Sequence, residues 1–115
     1  MAISEFEIKR CENELEKFLK VKRPPAYVRA EIDLSYRIDN QSVEIFEVRP
    51  HYRDPNKKIE SPVAKATYVK SKKTWKVYWM RQGLKWHSYS EVPEVKHIED
   101  FLNLVAEDEN SCFFG

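Results

Sequence analysis

The stretch VAKATYVKSKKTWKVYWMRQGLKWHSY, residues 63–89, alternates apolar side chains with lysine, threonine and tyrosine. That period of two belongs to an extended strand with one covered face. Two breaks, Ser71-Lys72-Lys73 and Gln82-Gly83, divide it into strands at 63–70, 74–80 and 84–89, an antiparallel meander. Residues directly opposite one another in such a pair share a face. A four-residue connection, Lys70 to Lys73, sets Tyr68 against Trp75 and Ala66 against Val77. A two-residue Gln82-Gly83 turn sets Trp79 against Trp86. The expected core face is therefore Ala64, Ala66, Tyr68, Trp75, Val77, Trp79, Leu84 and Trp86. The opposite face carries Lys65, Thr67, Lys76, Tyr78, Met80, Lys85, His87 and Tyr89, with Lys65, Tyr78 and His87 in one row.

Upstream, Ile32, Leu34, Tyr36 and Ile38 alternate with polar residues. Asp39-Asn40-Gln41 then turns the chain into a second strand at 43–49. Its Ile45-Phe46 doublet breaks the alternation. Either a bulge lies there, or Val43 and Ile45 face opposite to Phe46 and Val48. Residues 50–60, rich in Pro, Asn, Lys and Arg, read as a surface loop.

Helices flank the strands. Ser4 is placed as an N-cap, Glu7 as its capping-box partner, and Ile3 with Ile8 as a hydrophobic staple. Ile8, Cys11, Leu15, Phe18 and Leu19 then form an apolar stripe that Pro24-Pro25 ends. After Pro93, Val95, Ile98, Phe101, Leu102 and Val105 form a second stripe. In the apolar tail, Cys112-Phe-Phe-Gly115, Phe113 or Phe114 is expected to dock on the body. The expected fold class is α+β, a five-stranded antiparallel meander sheet, curled, packed by an N-terminal and a C-terminal helix. Residues 1–115 are expected to be a single domain.

The chain's 42% apolar and 13% aromatic content excludes a disordered segment. Its first 20 residues mix acids and bases without an apolar run, so no signal peptide or membrane span is expected, and the protein is expected to be cytoplasmic. Cys11 and Cys112 are no disulfide framework, and reduced thiols are expected. Charge is uneven: residues 61–90 carry seven basic and no acidic residues, and residues 91–115 carry one basic and seven acidic. Such asymmetry suits an anionic partner, an internal match, or a homodimer in which unlike segments meet.

Residues 60–65 (ESPVAK), Tyr68-Val69, Trp75, Tyr78-Trp79-Met80, residues 84–87 (LKWH) and Cys112-Phe-Phe-Gly115 together resemble a family of small bacterial proteins catalogued as domain of unknown function 3024. Ile45-Phe46-Glu47 and Arg49-Pro50 are similar to that family too. The resemblance covers roughly residues 25–115 and implies a self-contained bacterial domain with no assigned activity.

Three chemistries are expected of these residues. Lys65, Lys76, Tyr78, Lys85, His87 and Tyr89 combine cations with exposed aromatics, the recipe by which sheet surfaces hold single-stranded nucleic acid or another anionic ligand. The ribonucleoprotein aromatic motif is absent. If the second strand turns Glu47 and Arg49 to the same face, they would join Lys65, Tyr78 and His87 in a set suited to hydrolysis or phosphate-ester chemistry, with Glu47, Arg49 and His87 as catalytic candidates. The third is protein interaction or homodimerisation. No metal site is expected, since His51, His87, His97, Cys11 and Cys112 lack paired ligand spacings. No cofactor is expected either: the two glycines, Gly83 and Gly115, build no phosphate loop.

Overall fold

The computed structural model describes residues 4–80, 85–108 and 113. Helix α1, Glu5–Lys22, begins where the sequence places its cap: the Glu7 N–H donates to Ser4 Oγ at 3.3 Å. Ile3, the expected staple residue, lies outside the described residues. Cys11, Leu15 and Phe18 are buried along one stripe, with Ile8 and Leu19 at its margins. The helix stops at Arg23, directly before Pro24-Pro25, and a single 3₁₀ turn at Ala26–Val28 leads into the sheet.

The strands are β1 Asp33–Asp39, β2 Ser42–Pro50, β3 Lys58–Val69, β4 Thr74–Met80 and β5 Trp86–Ser88. They run antiparallel in chain order, and the sheet is not closed. A two-residue strand, β6 Glu94–Val95, also joins β4. Helix α2, Ile98–Glu107, follows and buries Ile98, Phe101, Leu102 and Val105. The α+β class, the five-strand meander and the two flanking helices are as expected from the pattern.

The structure departs from expectation in two places along the ladder. Tyr68 faces Trp75, Ala66 faces Val77 and Lys65 faces Tyr78, as expected, but Trp79 faces His87 and Met80 faces Trp86. Five residues separate the paired Met80 and Trp86, an odd-numbered connection, and a slip of one residue exchanges the two faces of a strand. Trp86 therefore leaves the expected core face for that of Lys65 and Tyr78. His87 goes to the face of Trp79 and Ala64, and Tyr89 is buried at 4% exposure, its N–H bonded to the Val77 carbonyl at 2.9 Å. Leu84 lies outside the described residues.

At the Ile45-Phe46 doublet the second of the two expected arrangements holds: Val43 and Ile45 face opposite to Phe46 and Val48, and a bulge lies across the ladder on β3. Ile45 pairs with Ala64 and Phe46 with Pro62, so the extra residue is Val63 on β3. That is why Val63 and Ala64, adjacent in sequence, are both buried. Strand β2 alternates without interruption. The second departure is Val95, which lies in β6 opposite Trp75 rather than on the α2 stripe. The Val77 N–H already bonds the Pro93 carbonyl at 3.0 Å, which holds residues 93–95 extended along β4. Strands β2 and β3 also extend into residues 50–60, shortening the expected loop.

Both helices cover the face carrying Val43, Ile45, Ala64, Ala66, Trp75 and Val77, and these residues share one core cluster with α1 and α2. Phe113 joins it, packed on Tyr89 with ring centroids 5.1 Å apart. Cys11 is fully buried there, and burial pushes its thiol up to about 12. Only the thiolate alkylates readily. Iodoacetamide should therefore leave Cys11 unmodified in the native protein and label it at the rate of unfolding, read by mass-mapped labelling with and without urea. Rapid native labelling of Cys11 would contradict its burial.

Two ion pairs tie the helices down. Arg23 grips Asp33 through two bonds of 2.8 Å, and Arg10 of α1 meets Glu99 of α2 at 2.7 Å. The Arg23 hydrogen bond holds the Asp33 carboxyl below its ordinary range, against burial and with help from the Leu34 N–H. Burial pushes Glu99 up, but its own backbone N–H and Arg10 together bring it below the usual carboxylate range. A carboxylate depressed in the folded state adds stability above its unfolded pKa, and that contribution disappears as pH falls through the folded value. Urea midpoints should therefore fall as pH drops below about 4. Asp33→Asn should lower the midpoint at neutral pH and make the acid-side decline shallower; an unchanged decline would remove Asp33 from the account.

Candidate functional site

On the face away from the helices, Lys65 stands between two aromatic rings. Its Nζ lies 5.6 Å from the ring centroid of Tyr78 and 5.4 Å from that of Trp86. The meander explains the meeting: Lys65 is opposite Tyr78, and Trp86 is opposite Met80, two residues along β4 on the same face. All four side chains are half-buried. A cation within about 6 Å of a ring face is attracted by the ring quadrupole, so Lys65 orients both rings.

Lys76 is exposed on the same face, between Thr67 and Glu94, and Lys85 is exposed directly before β5. Glu94 bonds Lys72 at 3.4 Å and Thr74 Oγ1 at 3.1 Å. At the other end of the face, Arg37 lies 4.5 Å over the Phe46 ring and pairs with Glu44 and Glu60. The face is thus divided: Arg37 is neutralised at one end, while Lys65 and Lys76 at the other make no ion pair with a described residue. Two acids of the C-terminal segment, Glu94 and Glu99, find basic partners within the chain.

The proposed hydrolytic set does not assemble. Glu47 faces Leu34 and Ser61, and its continuous alternation with Ile45 places it, with Arg49, on the helix side of the sheet. It pairs with Arg49 at 3.3 Å. His87 is also on that side, opposite Trp79, but β3 and β4 separate it from Glu47. Lys65 and Tyr78 are on the other face. Among the described residues, no group of three or more His, Cys, Asp or Glu side chains is placed to hold a metal ion.

Of the expected binding residues, the structure brings together Lys65 and Tyr78, with Lys76 on the same face. The slip that brings Trp86 to this face takes Lys85 out of it and turns His87 and Tyr89 to the other side. Trp86 takes the place expected of His87. Alternation puts Trp86 and Tyr89 on opposite faces in any register, and the five-residue connection, not the pattern of the three strands, decides which of them lies inside.

No helix among the described residues is long and apolar enough to cross a membrane. No curated protein and no solved structure matches the chain. The family model described as Domain of unknown function (DUF3024) matches residues 3–115, essentially the whole chain, and the protein belongs to that family.

Proposed function

We propose that this chain is a binding module whose uncovered sheet face takes single-stranded nucleic acid. Bases stack on Tyr78 and Trp86, and Lys65 and Lys76 neutralise phosphates. The observation that supports this reading is the Lys65 side chain lying over both rings on the face that neither helix covers. Single-strand binders combine stacking platforms of this kind with cations that follow the backbone, and every base offers a ring face, so the contact tolerates any sequence. The reading takes residues 1–115 as one domain, in keeping with a core cluster shared by both helices and the sheet.

The test is a tryptophan-fluorescence titration with mixed-sequence single-stranded DNA and RNA at several salt concentrations. Two neutralised phosphates should give a slope of about −1.4 in log affinity against log salt. Absence of binding at low salt, where an electrostatic site is strongest, would overturn the proposal.

A further inference from the structure

A second feature lies at the helix-side end of the sheet. A cavity of about 200 Å³ opens between α1, the β3–β4 turn and the start of α2, lined by Glu7, Arg10, Tyr68, Lys73, Lys96 and His97 among others. Its cations come from three separate segments. Arg10 uses one guanidinium nitrogen on Glu99, and a guanidinium has five donors. Lys73 and Lys96 make no ion pair with any described residue. Among the described residues Glu7 is the one acid in the lining, and Glu99 holds Arg10 from beside it.

Lys73 is held there at a conformational cost. The described non-glycine residues with positive φ are Asn40, Asp108 and Lys73, at 57°, 43° and 54°. Asn and Asp tolerate the left-handed region through local hydrogen bonds, whereas lysine has no such compensation. A turn that would accept glycine or asparagine thus carries a lysine whose side chain lines the cavity.

We propose that this cavity binds a small phosphate-bearing anion, with Arg10, Lys73 and Lys96 pairing with its oxygens. A guanidinium fork and two ammonium groups arriving from different directions suit an anion with several equivalent oxygens better than a planar carboxylate. The space holds several water volumes of about 30 Å³ each, enough for a phosphate on a small carrier. The site is separate from the Lys65 platform, being on the other side of the sheet.

The experiment follows backbone amide resonances of the full chain during three titrations: inorganic phosphate, sodium chloride at matched ionic strength, and a mixed-sequence oligonucleotide without terminal phosphates. Phosphate should move the amides of Lys73, Lys96 and Ile98 saturably, and chloride should not. Lys73→Gln and Lys96→Gln should each weaken phosphate binding about tenfold, as expected for loss of a charge-assisted bond, with unchanged melting temperatures. Equal shifts in chloride, or wild-type affinity in both variants, would overturn the proposal. If the oligonucleotide moves the same amides as phosphate does, the phosphate belongs to a polynucleotide and the small-anion assignment falls. The platform is read at Lys65, Tyr78 and Trp86, so either reading can fail without the other.

Discussion

Replacing Phe101 by alanine should lower the free energy of unfolding by about 3–5 kcal/mol. Phe101 is fully buried in the middle of α2, where the helix meets the core shared by α1 and the sheet. Its truncation removes the hydrophobic transfer energy of a ring and leaves a cavity that the rigid sheet beneath cannot close. Domains of this size are stable by only about 5–15 kcal/mol, so the variant should sit close to its unfolding midpoint in mild denaturant. Phe6→Ala is the matched comparison: Phe6 is 79% exposed on α1, and its loss should change stability by less than about 0.5 kcal/mol. Urea unfolding followed by tryptophan fluorescence distinguishes the two. Equal losses would mean that α2 does not close the core as described.

Those two phenylalanines were separable in the sequence because a helix repeats every 3.6 residues, and Phe101 falls on a stripe with Ile98, Leu102 and Val105 while Phe6 does not. Local signals of this sort located α1, α2 and the first four strands. They failed where the deciding contact lies elsewhere in the chain. In residues 86–89, Trp-His-Ser-Tyr, alternation puts Trp86 and Ser88 on one face and His87 and Tyr89 on the other, without saying which is inside. Phe113, far downstream, packs on Tyr89 and helps to decide. Val95 fits a helical stripe and a strand equally well; the Val77 N–H, bonded to the Pro93 carbonyl, selects the strand. Of the two arrangements the Ile45-Phe46 doublet leaves open, the opposite facing of Val43 and Ile45 against Phe46 and Val48 holds; the extra residue sits across the ladder at Val63, because a doublet does not show which strand holds it. The cavity cations had no sequence signature at all, since Arg10, Lys73 and Lys96 meet only through the fold.

The register also makes the binding proposal sharper, because it exchanges one aromatic residue for another. Tyr78→Ala and Trp86→Ala should each weaken single-stranded DNA binding by about 5- to 150-fold, the range of about 1–3 kcal/mol per stacked base. Both side chains are half-buried on the uncovered face, so global stability should change little beside the binding loss. Lys65→Met should act in the same direction, since it removes the cation that lies over both rings and would pair with phosphate. Tyr89→Ala should do the reverse. Tyr89 is 4% exposed and packed against Phe113, so its truncation should lower stability by about 3 kcal/mol while the remaining folded protein binds with wild-type affinity. Parallel binding and denaturation curves for the four variants separate the outcomes. Wild-type affinity in Tyr78→Ala and Trp86→Ala would exclude the platform, and a folded Tyr89→Ala protein that fails to bind would place the ligand on the other face of the sheet.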